Sequence, residues 1–402
     1  MAEITVFGNP DDRTLAQLER CATEADYAVL CADSHVGYSQ PIGGAIAYEN
    51  LISPSGVGFD VACGNKAART PLHADDVDVP RLMDEITRQI SFGVGRTSGW
   101  RVDDPVLDRT EHAAFTPQRK LGKLARDQLG TVGGGNHYVD LLSDEEGLLW
   151  VGVHFGSRGF GHKTATGFLS LAQGKSFDDR ASDVSMDAPP VLLDTRTELG
   201  QAYVEAMTLA GEYAYAGRDL VVERVLKILG THATDEVHNH HNFAWRELHF
   251  GRDYWVIRKG CTPAFPGQRG FVGGSMGDSS VILEGFDGDE ARAALYSTVH
   301  GAGRMMSRRQ AAGKRRWMKD RQTGRRYAKT ISPGAIDWEA AKRDLSSRGI
   351  ELRGGGADEA PGVYKRLQDV LDAHAGSIRI RHTLRPLGVA MASDDILDPY
   401  RD

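Results

Sequence analysis

The chain has 402 residues, 41% hydrophobic and 26% charged, with a net charge of -7, a composition that supports one large core or two smaller ones in an ordinary globular protein. No apolar run is long enough to span a bilayer, and the opening MAEITVFGNPDDRT has neither a basic n-region nor an apolar h-region. Four cysteines (Cys21, Cys31, Cys63, Cys261) lie scattered without a CxxC pair, so reduced thiols and a cytoplasmic location are expected and the acidic balance excludes a uniformly basic nucleic-acid binder.

In chain order, Leu15, Leu18 and Cys21 recur at helical spacing over 14–25, and YAVLCAD reads as a buried strand ending at Asp33. Asp33 and His35 share a face of an extended backbone, as a site-lining pair or as loop caps. In GVGFDVACG, glycines flank Asp60 and Cys63; carboxylate and thiolate together suit a borderline divalent metal, and a thiolate can bridge two ions. A helix is expected from Pro80 to Gly93.

GTVGGGNHYVD, Gly130 to Asp140, places four glycines in six residues ahead of Asn136 and His137. Bare backbone N–H groups there can approach an anion while the imidazole serves a metal; the plainer alternative is a turn leading into a strand. Leu148 to His162 begins as a buried strand with His154 at its tip, followed by a Gly-Ser-Arg-Gly turn whose Arg158 can clamp a phosphate. Glu198 to Leu229 is helical in pattern, with Gly211 and Gly217 as candidate breaks.

Four histidines crowd His238 to His249, of which His241 is the preferred ligand because Phe243 to Trp245 anchor it. WVIRKG and SSVILEG read as strands, and GFVGGSMGDSS between them suits a phosphate or base pocket. His300 precedes a Gly-Ala-Gly-Arg loop and is a candidate nucleophile or general acid at phosphorus. From Arg304 to Lys329, eleven Lys/Arg face one acid, Asp320: a strip of +10 on a remainder of -17, read either as a polyanion site or as a solvated insertion. Helices over Asp337–Ser347 and Gly362–Ala373 and a strand through SIRIRHTLRPLGVAM complete a single α+β domain, residues 1–402, with 304–329 as a candidate insertion.

Asp60, Cys63, His137, His154 and His241 are too many ligands for one tetrahedral site, whereas two close ions sharing Cys63 would use them all. The motifs DSHVGYSQPIGG, GVGFDVACG, GTVGGGNHYVD, HFGSRGFGH, HHNFAWRE, GGSMGDSS, HGAGR and APGVYK, in this order, resemble the RtcB family of RNA-splicing ligases through most of the chain. The resemblance implies that family's α+β fold around β-sheets, two Mn(2+) ions, GTP as cosubstrate, and joining of RNA 2',3'-cyclic phosphate or 3'-phosphate ends to 5'-hydroxyl ends. Its RNA partners would be tRNA halves or cleaved rRNA, with archease as a candidate activator.

Carried over by position, one ion takes Asp60, Cys63 and His137, the other Cys63, His154 and His241, and His300 is the guanylylated nucleophile. Asn136, His137, Tyr138, Asp140, Ser275, Met276, Ser280, Gly301, Ala302, Gly303, Arg304 and Tyr364 surround the nucleotide, with Tyr138 and Tyr364 as stacking rings. Arg158, Lys314, Arg315 and Arg316 are the expected RNA contacts. Two departures stand out: Asp140 where the family usually has Glu, and Pro386 to Met391 where members commonly end in a lysine near the guanine, with Arg401 as a candidate substitute. The alternatives are a two-metal phosphoesterase that does not ligate, or a non-catalytic RNA-binding repair factor.

Overall fold

The computed structural model describes residues 2–181, 185–319 and 326–394. Two large sheets hold most of the described strands of an α+β fold, and three two-stranded sheets hold the rest. The larger, eight-stranded sheet runs Arg269–Val272, Ser280–Gly285, Ile378–Ser393, Tyr138–Ser143, Leu148–Phe155, Gly64–His73, Asp235–His240, with Glu351–Gly355 pairing in parallel to Ile378–Ser393. The five-stranded sheet runs Glu3–Val6, Tyr27–His35, Ile42–Tyr48, Arg252–Lys259, Asn242–His249. The chain steps from one sheet to the other at His241, between the strands Asp235–His240 and Asn242–His249.

Register gathers the motifs. Tyr138 lies opposite His154, and Gly64 lies opposite both Phe155 and His240. Because these pairings are antiparallel, residues just outside or at the ends of four segments (Cys63, His137, His154, His241) converge at one end of the sheet. The apolar interior of these strands, including Val139, Leu141, Val151, Val153 and Phe155, is fully buried, each such side chain contributing about 1.5–3 kcal/mol.

Helix Glu198–Leu229 supports this end from below. Thr197 caps its start by accepting from Gly200 N–H at 3.2 Å, and Gly230 ends it at φ 67°. Gly211 and Gly217 do not break it: the Phe243 ring rests against the first and Phe155 against the second, so their missing side chains let the sheet and helix approach closely. Another expectation is corrected after His154, where the Gly-Ser-Arg-Gly segment opens helix Arg158–Ala172 rather than a simple turn, its Phe160, Ala165, Phe168 and Leu169 buried on one side. The helix expected over Gly362–Ala373 shrinks to Leu367–Asp372, because Tyr364 is extended in a bridge to Arg304 and Lys365 N–H donates to Gly303 O. Helices Asp12–Cys21, Val79–Gln89 and Trp338–Ser347, each capped by an aspartate, and strand Ile378–Ser393 match their expectations within a few residues.

The basic strip forms an antiparallel hairpin, Lys314–Lys319 with Arg326–Ser332, whose strands pair only with each other among the described residues. Residues 320–325 and Arg401 lie outside the described residues. No described helix is long and apolar enough to cross a membrane.

Candidate metal centre

Two groups of ligand atoms, Asp60/Cys63/His137 and Cys63/His154/His241, each lie within 4.8 Å of one another and share Cys63. Cys63 Sγ is 3.2 Å from His154 Nε2 and 3.7 Å from His137 Nε2, and His137 Nε2 is 2.9 Å from Asp60 Oδ2. His154 donates its Nδ1–H to the Asn136 carbonyl at 3.1 Å, which fixes the tautomer and points the Nε2 lone pair at the shared sulfur. His241 Nδ1 is buried without a hydrogen-bond partner, a cost that a bound cation offsets.

The electrostatics fit cation binding. Burial works against the charge of Asp60, yet the His137 ring, Cys63 and Arg158 outweigh it and hold the carboxyl at about 2. Burial, reinforced by neighbouring histidines, pushes His154 and His241 well below the usual imidazole range, so both rings are neutral at pH 7, the form that can hold a metal. Burial and the Asp60 charge push the Cys63 thiol up, so its proton is the one a metal has to displace. Carboxylate, imidazole and thiolate together form a borderline donor set suited to Mn, Fe, Co or Zn.

Close packing explains the glycines. A Cβ at Gly133 would collide with the His137 ring and the Arg158 guanidinium. Arg158 itself donates to Thr131 Oγ1 (3.2 Å) and to the Gly93 carbonyl (3.0 Å), so its guanidinium is turned onto the protein's own glycine loop.

His300 stands beside this centre, its ring centroid 4.8 Å from that of His241. Asp33, fully buried, accepts from both His300 N–H (3.0 Å) and His300 Nδ1–H (2.6 Å). That pairing puts the ring proton on Nδ1 and leaves the lone pair on Nε2. Gly303 takes φ +76° with its Cα against the Asp33 backbone, where any side chain would collide. Gly273 bridges Gly301, joining the GGSMGDSS loop to the HGAGR loop that also holds Ala302.

Beyond that bridge Tyr138 and Met276 are buried in one cluster with Val389 and Met391, and Ser280 Oγ accepts from Gly274 N–H at 3.2 Å. Ser275 is half-buried on the same loop. Asp140 is buried, its Oδ1 unpartnered, and burial raises its carboxyl well above the usual range. Arg304 is tied to Glu359, the Asp358 carbonyl and the Tyr364 hydroxyl (3.2, 2.6 and 3.0 Å). Lys314 and Arg316 are carried on the basic hairpin.

Three positioning residues escaped the sequence reading of the site. Asp33 was visible only as half of a pair with His35, whose ring instead meets the Val36 carbonyl. Asn242 links the ligand loop to Gly260, donating to Asp60 O (3.3 Å) and accepting from Gly260 N–H (2.8 Å). Arg218, fully buried inside the long helix, donates to Ala62 O (2.9 Å), Phe155 O (2.7 Å) and His238 Nε2 (2.9 Å). It thereby fixes the carbonyls next to Cys63 and His154. An arginine on the buried face of a helix was the one available signal. Arg218→Met is expected to weaken metal affinity about 10- to 100-fold, as loss of outer-shell support does; isothermal titration with Mn(2+) showing unchanged affinity would contradict this.

The sequence matches the family model described as tRNA-splicing ligase RtcB over residues 14–120 and 110–392. It is similar to the tRNA-splicing ligase RtcB of Archaeoglobus fulgidus, 32% identical over 445 residues covering 90% of this chain and 87% of that protein. It is also similar to the tRNA-splicing ligase RtcB of Thermococcus kodakarensis (31% over 463 residues; 94% and 91% covered) and to the RNA-splicing ligase RtcB of Escherichia coli K12 (30% over 388 residues; 89% and 88%).

Proposed function

The chain belongs to the RtcB family, and from that premise we propose that it is an RNA ligase of tRNA splicing or RNA repair, using GTP and two Mn(2+) ions to join 2',3'-cyclic or 3'-phosphate ends to 5'-hydroxyl ends. The observation that supports this most is the pair of ligand groups sharing Cys63 beside a histidine whose Nδ1–H is held by a buried carboxylate. Hydrolysis of a cyclic or terminal phosphate needs no histidine that accepts a nucleotide. The ions, when bound, supply Lewis-acid polarisation of phosphate oxygens.

The chain's own residues do the rest. Asp33 keeps the His300 ring oriented and takes up the charge that develops as Nε2 attacks the α-phosphate of GTP; the new P–N bond forms as the bond to pyrophosphate breaks. The RNA 3'-phosphate then displaces His300 and carries GMP, and the 5'-hydroxyl displaces GMP as the phosphodiester forms. A cyclic end is first opened by water to the 3'-phosphate. The glycine-lined loops at Gly133, Gly273 and Gly301 let nucleotide phosphates approach backbone N–H groups. Incubating the protein with Mn(2+), GTP, an RNA ending in 2',3'-cyclic phosphate and one beginning in 5'-hydroxyl tests the proposal: GTP-dependent sealed product is expected. Opening of the cyclic end without sealing would overturn it in favour of a phosphoesterase.

The basic hairpin is the proposed RNA contact. Its register sets Arg316 opposite Lys329 and Lys319 opposite Arg326. With eleven Lys/Arg against one acid from Arg304 to Lys329, the segment suits a polyanion whose phosphates release counterions on binding. Reversing Lys314, Arg315 and Arg316 to Glu is expected to weaken RNA binding and to flatten its salt dependence by about 0.7–0.9 in log–log slope for each phosphate no longer neutralised, with nucleotide transfer to the protein unchanged. Binding isotherms across a salt series check this; equal affinity and slope would return the strip to solvated surface.

We infer that base selection is relaxed at the two departures from the family pattern, Asp140 and the missing lysine. Asp140 reaches one methylene less far than Glu, and the strand facing Asp140 and Tyr138 presents Val389 and Met391, neither a cation. Loss of one charged hydrogen bond costs about 1.5–3 kcal/mol, about one to two powers of ten in discrimination. GTP is expected to remain preferred, with ATP or dGTP detectably accepted; labelling of the protein with ATP against GTP at equal concentration measures it. Selectivity above about a thousandfold would show that other groups compensate.

A further inference from the structure

Cys31 and Cys261 are 230 residues apart in sequence, fully buried, and their sulfurs are 3.6 Å apart. Neither belongs to the metal centre, yet both sit on backbone that builds it. Cys31 is two residues before Asp33 on strand Tyr27–His35. Cys261 lies opposite Val299, the residue before His300, and its N–H donates to the carbonyl of His241 at 3.2 Å. Gly260, just ahead of Cys261, carries the His300 ring so closely that a Cβ there would lie 3.0 Å from Cε1.

We propose that Cys31 and Cys261 are a modification site, a dithiol pair that a peroxide converts into a disulfide, and that this bond disables the neighbouring Asp33–His300 pair. In the first step the Cys31 sulfur attacks one peroxide oxygen, the O–O bond breaks, and Cys31 becomes a sulfenic acid as one water leaves. In the second, the Cys261 sulfur attacks the Cys31 sulfur, the S–O bond breaks, and a second water carries away the hydroxyl with the Cys261 proton. Two thiols lose two electrons in all, and the peroxide gains them.

The geometry supports each part. A disulfide requires about 2.05 Å between sulfurs, so the two must close by roughly 1.5 Å from contact already made. That movement is imposed on the strand carrying Asp33 and on the segment cradling His300. A displacement of about 1 Å at a reacting group can cost on the order of a hundredfold in rate. Cys31 is the better attacking group: the hydrogen bond from Cys261 outweighs burial, and with His374 close by holds it down to about 7. His374 is itself buried and fixed there, its Nε2 accepting from Ala32 N–H at 3.2 Å and its ring stacked on Phe7.

The bond can be tested apart from its effect. Mn(2+)-loaded protein is treated with hydrogen peroxide, blocked with N-ethylmaleimide and digested, and the peptides are identified by mass spectrometry. A peptide pair linked through Cys31 and Cys261 is expected, and its absence at doses that oxidise other thiols would overturn the site whatever reaction the protein catalyses. RNA sealing, which rests on the proposed function, is assayed on the same samples. A loss on the order of a hundredfold that dithiothreitol reverses is expected in the natural sequence. In Cys31→Ala and in Cys261→Ala the reversible part should vanish while sealing before peroxide is retained, which separates this pair from oxidation of Cys63. Full linkage with undiminished sealing, or the same reversible loss in both variants, would overturn the switch. If the untreated protein seals no RNA, the ligase reading fails while the linked peptide still decides the site.

Discussion

Replacing Cys63 by Ala is expected to remove both metal equivalents together. Its sulfur is the one ligand atom common to the two groups, and it is 3.2 and 3.7 Å from the imidazole nitrogens of His154 and His137. Without it one group keeps only Asp60 and His137 and the other only His154 and His241, two imidazoles that burial has pushed well below their usual range. The affinity loss should exceed the roughly 10- to 100-fold typical of losing outer-shell support. By contrast, His154→Ala or Asp60→Ala breaks one group and spares the other. Metal analysis of gel-filtered protein distinguishes these patterns, and one full equivalent retained in Cys63→Ala would show that the sulfur does not bridge. Because the thiol is pushed up by burial and by the Asp60 charge, metal uptake releases its proton, and affinity should fall as pH falls.

The second large effect belongs to a residue that touches neither metal group. In Asp33→Asn the side chain keeps its shape but loses its charge, and one of its two polar atoms becomes a donor. The His300 ring then has no carboxylate to take its Nδ1–H and to balance the charge that develops when Nε2 bonds to phosphorus. In a comparable His–carboxylate pair the same change costs on the order of 10,000-fold. A loss of that order in nucleotide transfer to the protein is expected, with metal content unchanged. Sealing of RNA already carrying GMP on its 3'-phosphate should largely persist. Transfer within about tenfold of the natural sequence would mean that the 2.6 Å contact orients the ring without supporting the chemistry.

Four of the five metal-capable residues were legible because they lie in or beside glycine-flanked segments, and His241 because the apolar-aromatic run Phe243 to Trp245 follows it, local signals that survive in one dimension. Their convergence follows from strand register, as with Tyr138 opposite His154 and Gly64 opposite both Phe155 and His240, and register is not written in any one segment. Pairings between distant segments were correspondingly hidden. Asp33 meets His300 across 267 residues, Arg218 reaches Ala62 across 156, and Cys31 meets Cys261 across 230. Glycine misled in the other direction: Gly211 and Gly217 read as helix breaks, but tertiary packing against Phe243 and Phe155 offsets their poor helix propensity. At Tyr364 a bridge to Arg304 overrode the helical pattern.

The account stands or falls on His300 as the nucleotide acceptor. Protein is incubated with Mn(2+) and GTP labelled at the α-phosphate, denatured, and the label located by peptide mass spectrometry. Label on His300, stable to alkali and lost in acid as a P–N bond requires, is the expected result, together with no label in His300→Ala and continued sealing by that variant of RNA supplied with a pre-activated 3' end. Labelling undiminished in His300→Ala would contradict the assignment.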